Sequence, residues 1–175
     1  MPGCRMNLKI TRLPTFLGLS SMFFALLLPA WAGVVNYKEL LPFVDIKIPG
    51  WSMQGKPCGT TLKQGNVMVS EARASFRSGD MTLELTIMDF FGKTIPFLTG
   101  QKLELECPEE TVRTTGVQGF RAMESYRRQD RQGELHISVA DRFWVKLDGD
   151  GVDDLEVLKI AAQQMDLKKL AALAK

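Results

Sequence analysis

The run DGDGVDD at residues 148–154 holds the residue types closest to a metal-ligand set. Asp148, Asp150, Gly151 and Asp154 match the third, fifth, sixth and ninth positions of an EF-hand calcium loop. The first position falls on Lys146, a cation where a carboxylate is needed. The twelfth falls on Val157, where a bidentate Glu belongs. Two readings remain. One is a calcium site with fewer ligands, built on Asp148, Asp150 and Asp154. The other is a strand-to-helix junction, in which Asp153 and Glu156 stand at capping-box spacing and negative charge favours a helix start. The junction accounts for the residues better.

His136 is the only histidine. It lies between Leu135 and Ile137, so on a strand it points to the other side, with Glu134 and Ser138. Serine hydrolase chemistry needs an oriented nucleophile and an oxyanion hole, and no G-x-S-x-G elbow is present. A single histidine cannot build a multi-histidine zinc site. Glu109 and Glu110 are adjacent, which places nothing across a glycosidic bond. Arg127, Arg128 and Arg131 are diluted by Glu124, Asp130 and Glu134 and read as a solvated hairpin tip. The sequence therefore assigns no catalytic residue, no metal and no cofactor. A hydrolase is the third reading of its function.

Recognition has better candidates. Phe90, Phe91 and Phe97 fall in one apolar stretch, and Trp144 lies opposite Phe143 and Val145 on a strand pattern, so something should cover it. Residues 89–105 read either as a short helix packed on a sheet or as a loop with exposed aromatics.

The segments that carry these residues follow an N-terminal leader. Arg5, Lys9 and Arg12 precede an apolar run from Phe16 to Pro29, and Ala30-Trp31-Ala32 has the small-x-small form of a cleavage site. Residues 1–32 thus read as a signal peptide, and 33–175 as one exported domain, periplasmic or extracellular. Membrane contact follows only if the leader stays uncleaved. The chain has 22 Lys+Arg and 20 Asp+Glu. Three of the cations sit in the leader, so the remainder is close to charge-balanced and lacks the basic footprint of a nucleic-acid binder. Cys58 and Cys107 survive cleavage. In an oxidising compartment they predict one disulfide, worth roughly 4 kcal/mol for a loop of about 50 residues.

Within the domain, Asn36 suits a helix cap, with Tyr37, Leu40 and Leu41 behind it. Residues 52–65 read as a loop tethered by Cys58. Met68, Ala72, Ala74 and Phe76 alternate with Val69, Glu71, Arg73 and Ser75. Met81, Leu83, Leu85 and Ile87 alternate with Thr82, Glu84 and Thr86, across a turn at Ser78-Gly79-Asp80. Strands are predicted near 111–117 and over Phe120–Arg127, joined at Gln118-Gly119. Leu135, Ile137 and Val139 share a face, as do Phe143, Val145 and Leu147. A two-residue turn at Ala140-Asp141 would point these sets to opposite sides, so an odd loop, a bulge or a sheet covered on both faces is required. The last two are preferred. Leu155, Leu158, Ala162 and Met165 form a helical stripe that Leu167, Leu170 and Leu173 continue past Asp166.

The segments ELLPFVDIKIPGW (39–51), SEARASFRSGDMTLELTIMD (70–89), GELHISVADRFWVKLDGDGVDDLEVL (133–158) and DLKKLAAL (166–173) resemble a family of small exported bacterial proteins without assigned activity. The resemblance implies a PsbP-like α+β sandwich: a curved antiparallel β-sheet flanked by a short N-terminal helix and a C-terminal amphipathic helix. It also implies non-enzymatic docking onto a protein or envelope component. A carrier for a small apolar ligand or lipid, held between sheet and helix beside Met81, Leu83, Phe91 and Phe97, is the alternative.

Overall fold

A computed structural model describes residues 33–65, 67–90 and 102–174. Among the described residues the fold is mostly antiparallel β-sheet with a few short helices, an α+β architecture. The leader lies outside them, as do Phe91, Phe97 and most of the segment left open between helix and loop.

The Asn36 side chain accepts the Lys38 N–H at 3.0 Å and caps helix α1 (Tyr37–Val44), which buries Leu40, Phe43 and Val44. The strands are β1 (Ser52–Met53), β2 (Cys58–Gln64), β3 (Val67–Ser78), β4 (Met81–Asp89), β5 (Glu104–Glu106), β6 (Glu110–Val117), β7 (Phe120–Arg127), β8 (Gln132–Val139) and β9 (Phe143–Asp150). Their order is β1-β3-β4-β9-β8-β7-β6-β5, with β2 also on β3, and every pairing is antiparallel. The chain then enters α2 (Glu156–Gln164) and α3 (Leu167–Ala172).

Period-two patterning decides which side of the sheet is core. Ala72, Ile87, Val145, Ile137 and Ala122 stand opposite one another across five strands and are all buried. Ala74, Leu85, Leu147 and Leu135 form the next row, and it ends on Glu124. Phe76, Leu83, Gly149, Gly133 and Tyr126 form the third. The paired glycines admit α2 and the turn before it. A Cβ on Gly149 would lie 2.9 Å from Leu158 and 3.1 Å from Val152; one on Gly133 would lie 2.8 Å from Leu155. Leu158, Ala161 and Ala162 of α2 and Leu167 and Leu170 of α3 complete the core with α1. Gln118 donates to the Ala162 and Met165 carbonyls at 2.9 and 2.8 Å, tying the β6–β7 turn to the end of α2.

Several expectations change. Residues 52–65 are largely strand, because β1 and β2 pair with successive lengths of the twelve-residue β3. The β8–β9 connection is an odd loop. Val139 pairs with Phe143, which leaves Ala140, Asp141 and Arg142 between them, with Ala140 and Asp141 at φ +53° and +52°. Both apolar sets therefore face the same core, and neither a bulge nor a two-sided covering is needed to reconcile them. The C-terminal helix breaks at Met165, which is extended, and Asp166 recaps the chain by accepting the Lys169 N–H at 2.9 Å. The Cys58–Cys107 bridge is not formed. Both thiols are free, Cys58 on β2 at one edge of the sheet and Cys107 beside β5 at the other. A disulfide needs Cα atoms within about 7 Å, whereas each intervening strand adds about 4.8 Å of sheet width. The Cys107 thiol instead donates to the Glu110 carbonyl at 3.3 Å.

Candidate functional site

The alternation that buries one side of the sheet brings a second set of rows to the other. Arg73, Thr86, Lys146, His136 and Met123 form one row; Ser75, Glu84, Asp148, Glu134 and Ser125 form the next. Met88, Trp144 and Ser138 form a third. The residues of α1, α2 and α3 that are buried pack on the opposite side, so none of the described helices covers these rows.

Charge is arranged by row. A basic row lies beside an acidic one, and residues two apart on a strand, or diagonal across strands, pair between them. Lys146 Nζ is 2.8 Å from Asp148 and Arg73 4.0 Å from Glu84. Such pairs at the surface contribute little individually, and their main effect is to fix side-chain directions. A cleft of about 490 Å³ opens along the acidic row, lined by Glu84, Glu134, Asp148 and Asp150 with Arg127 among them.

His136 is the unusual member. It is 6% exposed although it lies off the core side. The Trp144 indole N–H donates to Nδ1 at 3.2 Å, which makes Nδ1 the acceptor. Nε2 then carries the proton and donates to Glu134. Burial holds the His136 pKa below its ordinary 6.5, ahead of the upward pull of Glu134; Lys146 also lowers it and Asp148 raises it. The ring is neutral at pH 7. Its centroid lies 5.6 Å from that of Trp144, and Trp144 lies 6.1 Å from Phe90. Met88 and Met123 stand beside these rings in register and are half-buried.

Two of the four aromatic recognition candidates, Phe90 and Trp144, thus come together; Phe91 and Phe97 lie outside the described residues. Sequence reasoning missed that His136 joins them. The signal was present, since an odd β8–β9 loop aligns Glu134, His136 and Ser138 with Asp148, Lys146 and Trp144. Ser138 is paired in register with Trp144, and both ring nitrogens of His136 have other partners, so no serine–histidine relay is assembled.

The calcium candidates separate. Asp148 pairs with Lys146, and Asp150 accepts from Gln132 at 3.1 Å, both on the side away from the helices. The chain reverses at Gly151, and Asp154 accepts the Glu156 N–H at 2.9 Å at the start of α2. The helix start is therefore served by Asp154, while Asp153 pairs with Arg131 at 2.6 Å. Among the described residues no cluster of His, Cys, Asp and Glu has metal-holding geometry. The three hairpin arginines diverge as well. Arg127 donates to Gln132, Arg128 to the Cys107 carbonyl and Thr111, and Arg131 to Asp153.

A second polar feature was not foreseen. Glu124 is buried on the helix side, ion-paired with Arg113 of β6 and with Lys159 of α2, 3.5 Å from Oε2. That contact is a charge pairing without hydrogen-bond geometry, so Oε2 accepts no hydrogen bond. The pairing fastens α2 to the sheet. No known family model, curated protein or solved structure matches the chain.

Proposed function

We propose that the chain is a non-catalytic exported domain that binds a protein or another envelope component through the side of the sheet opposite its helices. One observation carries the reading: Phe90, Trp144, Met88 and Met123 are half-buried on a side that none of the described helices covers. Aromatic and methionine side chains gathered outside a core are the composition of protein interfaces. The charged rows alongside would supply register and partner choice rather than affinity. The PsbP-like likeness supports docking by fold analogy only.

The carrier reading receives less support. Leu83, expected to line a ligand cavity, is 1% exposed and packed in the core. The cleft between α1 and α3 mixes Pro42, Phe43 and Ile46 with the charged Glu39, Asp45, Lys47, Asp166 and Lys169.

Export remains part of the proposal and rests on residues 1–32. Among the described residues no helix is long and apolar enough to cross a membrane.

The test is a pull-down from envelope extract with three forms of the protein. Wild type and Ile160→Ala, altered at an exposed position of α2, should recover the same proteins. Phe90→Ala should lose them. Equal recovery by all three, or recovery of lipid alone, overturns docking through this side.

A further inference from the structure

We propose that His136 makes the docking side of the sheet pH-sensitive: a proton taken from solvent onto Nδ1 removes the acceptor of the Trp144 indole N–H and releases that ring. The inference rests on the docking reading only for its biological consequence. The two-state contact itself stands on geometry.

In the neutral ring one nitrogen accepts and the other donates, and both roles are filled. Trp144 gives its only polar proton to Nδ1 at 3.2 Å, and Nε2–H points at Glu134 at 3.0 Å. The imidazolium form has two N–H donors and no acceptor. Two donors would then face each other across the former Trp144 bond, so the indole must turn or withdraw. The Glu134 bond survives and strengthens, because its donor becomes charged. Protonation therefore moves one partner and keeps the other. The moving partner is the centre of the aromatic cluster, with Phe90 on one side and His136 on the other.

The surroundings set the range of the switch. On β8 the facing charge is Glu134. From β9 come Lys146 and Asp148, with Trp144. From β7 come Met123, which does not titrate, and, two residues along the same side, the cation Arg121. Beyond β9, β4 contributes Glu84 and Thr86, and β3 contributes Arg73. Burial outweighs the carboxylates, so the ring stays neutral at pH 7 and takes its proton only below the ordinary histidine range. An exterior acidic enough to protonate it is the condition that would change the docking side.

A single histidine makes the test direct. Nitrogen-15 NMR of the purified protein should show the neutral ring as the Nε2–H tautomer. On acidification the Trp144 indole peak, identified by its loss in Trp144→Phe, should move with the same midpoint as the imidazole. Trp144→Phe should shift the His136 midpoint upward, because the neutral ring loses its donor. Glu134→Gln should shift it downward, because the charged ring loses its carboxylate. An Nδ1–H tautomer at neutral pH, or an indole peak that stays still while His136 titrates, overturns the switch. The Glu134→Gln titration keeps the question answerable if Trp144→Phe fails to fold. If the indole titrates as expected while Phe90→Ala recovers the same envelope proteins as wild type, the switch stands and the docking reading falls.

Discussion

At the scale of single residues, the buried ion pair of Asp89 and Arg142 ties distant parts of the fold together. Asp89 is fully buried, and the Arg142 side chain is 12% exposed. Arg142 Nη2 lies 2.8 Å from Asp89 Oδ2, and Nε lies 3.2 Å from both carboxylate oxygens. Oδ2 also accepts the Val35 N–H at 2.7 Å, while the guanidinium reaches the carbonyls of Gly33 at 2.7 Å and Ala174 at 3.5 Å. One side chain in the β8–β9 loop thus holds both ends of the described domain to the end of β4. Removing one member of a buried pair leaves the other in a medium that solvates it poorly, typically at 3–5 kcal/mol. Arg142→Ala is expected to lower unfolding stability by about that amount, measured by urea denaturation. Lysine cannot reproduce the planar fork that reaches a carboxylate and two carbonyls together, so Arg142→Lys should recover only part of the loss. A change below about 0.5 kcal/mol for Arg142→Ala, the range of ordinary surface substitutions, would contradict this role.

At the scale of elements, helix α2 meets the sheet where two glycines lie side by side in register, and the two are not equivalent. A methyl group on Gly149 meets Leu158, which is fully buried, and both methyls of Val152 within 3.2 Å. A methyl group on Gly133 meets closely only one end of the half-buried Leu155. Gly149→Ala should therefore cost about 1–3 kcal/mol through overpacking. Gly133→Ala should stay near neutral, because a small shift of Leu155 is offset by the reduced freedom of the unfolded chain. Equal losses in thermal unfolding would show that the helix seats differently. The same elements explain what could be read from the chain. The alternation of Leu83, Leu85 and Ile87 predicted β4 and its buried side, because a half-buried strand needs nothing beyond period two. The two apolar sets of β8 and β9 already implied an odd connection, and the left-handed residues Ala140 and Asp141 supply it at positions where only the Asp is a common choice. Strand β2 was missed because Lys63, Gln64 and the threonines carry no apolar alternation. An edge strand exposed along most of its length is specified by its partner β3. The His136 cluster was hidden for a related reason. Its members come from four strands, and only the register between them brings the side chains together.

At the scale of the whole molecule, the dependence of stability on mild acid traces to one group, because the chain has a single histidine. The folded state holds the His136 pKa below 6.5, through burial first. As the pH falls, the unfolded chain takes up its proton near 6.5 while the folded protein still does not. The unfolded state then binds more protons, and stability rises with pH across that interval. The contribution is fully present above 6.5 and is lost as the pH falls from 6.5 toward the folded-state pKa. Its slope cannot exceed about 1.4 kcal/mol per pH unit for one proton. Carboxylates add their own dependence below about pH 5, so the informative interval is about 5 to 6.5. His136→Gln keeps a nitrogen donor for Glu134 and removes the titration, so its stability should be flat over that interval while the wild type declines. Urea midpoints measured at several pH values with a common denaturant slope would read this difference directly. A wild-type protein as stable at pH 5.5 as at 7.5, or a decline that persists in His136→Gln, would place the acid sensitivity elsewhere and leave the Trp144 contact a fixed part of the sheet.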